Sequence, residues 1–83
     1  MMRLLLHARM QDDRRRRRAV LWCREHLKPG VVGPETELVA ALGMLVCDQR
    51  GHITPEGVSR ASRDPEARQW ARSVLSEARG ERP

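Results

Sequence analysis

The 83-residue chain has almost no aromatic content: two Trp, no Phe and no Tyr. That scarcity excludes a stacking platform of the kind that holds single strands on several exposed rings. Long hydrophobic runs are missing too. The longest uncharged stretch, Leu38 to Cys47, has ten residues, half of the ~20 that a membrane-spanning helix needs. The Leu4–Leu6 cluster is interrupted by His7 and Arg9, short of the ~7–15 apolar residues of a secretory signal. The expectation is a cytoplasmic protein with no membrane partner. Cysteine is limited to Cys23 and Cys47, which sit in apolar surroundings and are expected to be reduced. Gly30-Val31-Val32-Gly33 lacks the lysine and Ser/Thr of a phosphate loop. The pairs Cys23/His26 and Cys47/His52 lack a third orienting group or an oxyanion turn, and no carboxylates are spaced to meet. The chain is therefore read as no enzyme, with no catalytic residues and no cofactor. Its length allows one domain, 1–83, with 1–11 and 80–83 as ends that fray or are ordered by a partner.

What is present is helix punctuation. Asp12 or Asp13 can cap a helix running to about Leu27, with Ala19, Val20, Trp22, Cys23, His26 and Leu27 as its apolar stripe. The segment 1–11 either extends that helix or forms a short element of its own. Lys28-Pro29-Gly30 stops it. Gly33-Pro34-Glu35 opens the next helix, about 34–50, in which Leu38, Ala41, Leu42, Leu45 and Val46 recur at helical spacing. Val39, Ala40, Met44 and Cys47 fill much of its other face, and a helix apolar nearly all round is a central one. Thr54-Pro55-Glu56 and Asp64-Pro65-Glu66 each combine a capping side chain, a proline at the first position and an acid in the first turn. The last helix carries the stripe Ala67, Trp70, Ala71, Val74, Leu75 and Ala78, with Trp22 and Trp70 as the large anchors of a small core. The predicted fold is all-α: a small compact bundle of about four helices around the apolar 34–50 helix.

Charge is the other conspicuous feature. Lys+Arg number 16 against 11 Asp+Glu, a formal net charge of +5, and Lys28 is the single lysine. An arginine-for-lysine skew is common in GC-rich bacterial or phage coding sequence, so arginine content alone assigns nothing. In the run Arg14–Arg18, five guanidinium groups at the start of a helix meet both mutual repulsion and the positive end of the dipole, which Asp12 and Asp13 offset only in part. Holding them there costs stability, which hints at an anionic partner; the alternative is a solvated helix face written in GC-rich codons. Arg24 lies on the same general side, and Arg68, Arg72 and Arg79 recur along the last helix, either as a second part of one basic face or as its wet side.

The stretch Ile53-Thr54-Pro55-Glu56-Gly57-Val58-Ser59-Arg60-Ala61, followed by Asp64 to Leu75, resembles the two-helix core of MerR-type and excisionase-type helix-turn-helix domains. The matching features are the Thr start, the apolar Val58 and Ala61, and Arg68-Gln69-Trp70 in the second helix. The resemblance covers about a quarter of the chain and implies a helix-turn-helix-like pair at 53–79 whose second helix enters a DNA groove. The turn departs from the pattern, with Ser62-Arg63-Asp64-Pro65 where a small residue and glycine normally stand, and the wing of MerR-type domains has no counterpart after Gly80. Leu45 to Glu56 also resembles a calcium-loop segment, but Asp48 is the only acid between Cys47 and Pro55, which excludes calcium.

Cys23, His26, Cys47 and His52 are residue types that suit tetrahedral zinc. Both cysteines fit apolar stripes equally well, so they read first as small core residues. A helical core this small is marginal, and a homodimer would cover the apolar middle helix. Two functions follow from the charge. One is a DNA-binding regulatory protein that contacts phosphates through Arg14, Arg15, Arg16, Arg17, Arg18, Arg24, Arg68 and Arg72. The other is a protein-protein interaction module or inhibitor, such as a phage-encoded anti-host-defence protein, that docks its arginine-rich helix on an acidic protein surface of a host complex.

Overall fold

The four helix starts from Asp13 onward each rest on a local device that satisfies or removes the first orphan amides. A computed structural model describes residues 2–28 and 30–80, with side chains described from Leu6 onward; Pro29 and 81–83 lie outside the described residues. Helix α1 spans Met2–Met10 and α2 spans Asp13–His26. Between them Asp12 takes an extended backbone, and its carboxylate accepts from the Arg14 and Arg15 amides at 3.0 and 3.4 Å. The N-terminal segment is thus a separate helix, one more than the four that the punctuation marks. Helix α3, Pro34–Val46, starts on Gly33 with proline at the first position and Glu35 and Glu37 in its first turn. Helix α4, Pro55–Ser62, is capped by Thr54 Oγ1, which accepts from Gly57 N at 3.1 Å. Helix α5, Pro65–Ala78, is capped by the Asp64 carboxylate, accepting from Glu66 and Ala67 N. Among the described residues there is no strand.

The central helix ends at Val46, four residues before the expected end at Arg50. Cys47 is already extended, and the Asp48 carboxylate accepts from Arg50 N at 2.9 Å and His52 N at 2.8 Å. A short acidic side chain that captures nearby amides offers the backbone an alternative to helix. Gly51 completes the turn at φ +82°, where an L side chain would be strained.

Helix α3 forms the middle of the bundle and packs against α1, α2, α4 and α5. Leu42 and Leu45 of α3, Val74 of α5 and Cys23 of α2 are the largest fully buried side chains; each aliphatic one contributes about 1.5–3 kcal/mol of burial. Helix α5 buries Ala67, Trp70, Ala71, Val74 and Leu75, as its stripe predicts. In α2 the buried set is narrower: Ala19, Val20 and Cys23. Trp22 is half-buried and His26 exposed, their rings stacked with centroids 4.7 Å apart at the edge of the core. Of the two, Trp70 alone is buried. Four helices of the same chain cover most of α3, leaving Val39 exposed on its outer side. On the same side Ile53 lies over Gly43, its Cδ1 3.2 Å from where a β-carbon would stand. Among the described residues no helix is long and apolar enough to cross a membrane.

Candidate functional site

Helical geometry divides the five consecutive arginines into two groups, because successive residues are rotated by about 100°. Arg15 and Arg16 flank the buried line of Ala19, Val20 and Cys23, and both are partly buried. Arg14, Arg17 and Arg18 face away from the core and are exposed.

The two inward arginines are occupied. Arg15 Nη1 donates to Met44 O, Leu45 O and Cys47 O at 3.2, 3.1 and 2.8 Å, and lies 3.4 Å from Cys47 Sγ. Arg9 Nη1 donates to the remaining carbonyl of that end, Val46 O, at 2.7 Å. Helix α3 has no basic residue in its own last turn, so guanidinium groups from α1 and α2 meet the negative end of its dipole. Arg16 Nη2 donates to Ser73 Oγ at 2.7 Å and pairs with Glu77 at 3.2 Å, joining α2 to α5. Arg24 does for α5 what Arg15 does for α3, with Nε and Nη2 reaching Ala78 O and Glu77 O at 3.3 and 3.4 Å; α5 too lacks a basic residue in its last turn.

The outward three have no such partners. The guanidinium groups of Arg14, Arg17 and Arg18 make no hydrogen bond or ion pair among the described residues. Their spacing of i, i+3 and i+4 sets neighbouring Cβ atoms about 5–6 Å apart. Leu21, 49% exposed, continues the same stripe one turn further on.

The arginines of α5 do not join this face. Arg16 reaches α5 on the edge that carries Ser73 and Glu77. Arg68, Arg72 and Arg79 occupy the other edge, where Arg68 Nη1 donates to Ser62 O at 3.4 Å. Arg79 Nη2 donates a charge-assisted hydrogen bond to Glu37 Oε2, a carboxylate buried at the start of α3. Arg72 is exposed beside the cleft where Pro34, Glu35 and Glu37 meet α5. Helices α4 and α5 follow one another across a short turn, and Gln69 and Arg72 are exposed on α5.

Cys23 and Cys47 are free and buried. Burial pushes the Cys23 thiol from its ordinary 9.0 up to about 11, and the nearby Glu37 carboxylate adds to the rise, so it is a poor nucleophile. His26 Nδ1 lies 3.0 Å from Trp22 O, and His52 Nδ1 lies 3.6 Å from Asp48 Oδ2. Among the described residues no three His, Cys, Asp or Glu side chains could share a metal ion, so these four are not brought together as a zinc site.

The structural roles of Arg9, Arg79 and Glu37 were not evident from local sequence. A usable signal was the absence of a cation from the last turns of α3 and α5, whose carbonyls then need partners from elsewhere in the chain. Comparison with protein-family models, curated proteins and solved structures finds no match to this chain.

Proposed function

We propose that this chain is a small, cytoplasmic, non-enzymatic nucleic-acid-binding protein that holds duplex DNA by its phosphates through Arg14, Arg17 and Arg18. One observation carries the reading: three neighbouring guanidinium groups are set outward on α2, and among the described residues none of them forms a hydrogen bond or an ion pair. Each like-charged pair at this spacing costs about 0.2–0.5 kcal/mol, a cost that a phosphate backbone would reverse. Arg15, Arg16 and Arg24 support the face from behind, each with a terminal guanidinium nitrogen engaged within the fold. Arg72, with Gln69, is the side chain through which α5 would read bases in a groove. A homodimer meeting across the exposed Val39 and Ile53 would double the phosphate contacts; light scattering of the wild type and Val39→Asp tests that part.

The decisive experiment is fluorescence anisotropy of a labelled random duplex at 50 and 200 mM salt. Three phosphate contacts predict a fall of about 40-fold in affinity across that interval. The triple variant Arg14→Gln, Arg17→Gln, Arg18→Gln should lose binding and the salt slope while keeping its fold. Arg72→Gln should alter sequence preference only. No binding by folded wild-type protein at low salt would end this reading.

A second reading is docking on an acidic protein surface, and Leu21 favours it. A half-exposed leucine framed by Arg17 and Arg18 gives an apolar centre with a cationic rim. Leu21→Ser would then abolish partner capture from host extract, whereas phosphate binding would be indifferent to it.

A further inference from the structure

Helix α3 is packed against α1, α2, α4 and α5, and the face they leave open has an apolar centre. Val39 and Ile53 form it, each 47% exposed. Ile53 sits on Gly43, where a β-carbon would come within 3.2 Å of its Cδ1, so the glycine lets this side chain lie close to the helix axis. Glu35 stands at the N-terminal end, one turn before Val39 and eight residues before Gly43, about 12 Å along the axis. At the C-terminal end the chain doubles back: Asp48 N donates to His52 O at 2.9 Å and Gly51 N to Asp48 O at 3.0 Å. Arg50 is therefore at the tip of that turn, at most about 11 Å from Ile53. Both Glu35 and Arg50 are exposed, and neither side chain makes a hydrogen bond or ion pair among the described residues. Arg72, across the cleft from Glu35, does not pair with it. Asp48 and His52 face each other at 3.6 Å, which leaves Arg50 as the free charge of the turn.

An acid and a base at similar distances on either side of an apolar centre make a face that is its own complement. Turned by half a revolution, it sets each free charge against the opposite one, which is the condition for an isologous contact. A uniformly acidic or basic partner would match one end and meet like charge at the other. We propose that α3 pairs with α3 of a second copy, antiparallel, about a two-fold axis through Ile53, with Glu35 of each chain against Arg50 of the other. This pairing rests on the homodimer of the reading above and gives it an orientation. The two helix dipoles then run in opposite directions, and each carboxylate meets a guanidinium at the edge of an apolar contact. The contact is smaller than the ~800 Å² per partner of a standard interface, so the dimer exchanges with monomer.

Sedimentation equilibrium from about 10 μM to about 1 mM protein, without nucleic acid, measures the association. The wild type is expected to pass from monomer to dimer across that range. Glu35→Arg and Arg50→Glu each bring like charges together at both ends and should weaken dimerisation by about tenfold or more. Combined in one chain they exchange the two signs, and dimerisation should return. The axis is read separately. A residue on a two-fold axis meets its own copy, so Ile53→Cys should give a disulfide-linked dimer with oxidised glutathione. Val39→Cys, about 6 Å along α3 from the axis, should not. Cys23 and Cys47 are buried and do not compete. All four altered positions are exposed, and circular dichroism verifies the helix content of each variant. The Arg14, Arg17, Arg18 triple variant should dimerise as the wild type does, so loss of duplex binding and loss of the dimer are separate results. The proposal fails if the wild type stays monomeric, if either single charge variant dimerises unchanged, if the double variant does not recover, or if Val39→Cys cross-links as readily as Ile53→Cys.

Discussion

Replacing Arg15 by methionine removes one guanidinium and keeps the apolar stem that packs beside it. The lost group donates to three carbonyls at the end of α3, at 2.8 to 3.2 Å, from a partly buried position. Hydrogen bonds from a charged donor contribute about 1.5–3 kcal/mol, and carbonyls left partly buried without a partner add to the loss. Arg9 still reaches Val46 O, so the end of α3 is not stripped completely. The expected destabilisation is about 2–3 kcal/mol, a large share of the ~4–12 kcal/mol that a domain of this size holds. At about 4–8 °C per kcal/mol the melting temperature should fall by roughly 10–20 °C. The matched control is Arg17→Met, two positions along the same run, which removes an unpartnered cation and should stay within about 0.5 kcal/mol of wild type. Urea unfolding followed by circular dichroism gives both values. If the two variants differ by less than about 0.5 kcal/mol, the division of the run into capping and outward arginines is wrong.

The Glu37–Arg79 pair should break asymmetrically. Glu37 is 7% exposed and Arg79 38%, so Arg79→Met strands a buried carboxylate and should cost about 2–3 kcal/mol, whereas Glu37→Gln frees an arginine that water can solvate and should cost about 1 kcal/mol. Equal losses in urea unfolding would show that the carboxylate is not desolvated. Cys23 sets a limit on alkaline stability. The unfolded thiol ionises near 9.0 while the folded one keeps its proton to about 11, so stability is complete below the first value and falls between the two, by on the order of 2 kcal/mol. Cys23→Ala should flatten that part of the curve, and parallel curves for both proteins would refute the assignment. Backbone hydrogen bonds, from the His52 amide first and from Arg50 next, hold the Asp48 carboxyl below its usual 3.8. The stabilisation it gives the turn is present above the ordinary carboxylate range and lost as pH falls through that lower value. The Arg50 and His52 amide signals should move together in that acid range and stay fixed in Asp48→Ala.

The helix starts were legible because they are local. Asp12, Thr54 and Asp64 each cap an amide two or three residues ahead, and after Thr54 and Asp64 a proline at the next position fixes the rest. The stripe of α5 was legible for the same reason: its period is written within one helix. The end of α3 was not, since Arg50-Gly51 is the first glycine stop after the apolar run, while Asp48 ahead of it withdraws two amides from the helix. Least legible were the arginines. Arg15 meets Leu45 30 residues away, Arg16 meets Ser73 at 57, and Arg24 meets Ala78 at 54. No window along the chain contains both partners, so the run looked like a single charged feature. The turn between α1 and α2 decides which of its members face inward.

The run Arg14–Arg18 is therefore a place where the same letter repeated five times is not redundant. A saturation mutagenesis library scored for abundance should tolerate change at 14, 17 and 18 and reject it at 15 and 16. Scored for partner binding, the same library should reject change at all five, at 15 and 16 because the fold is lost and at 14, 17 and 18 with the fold kept. Two selections acting on one homopolymeric tract would leave imprints whose difference falls on 14, 17 and 18, interleaved with the pitch of the helix.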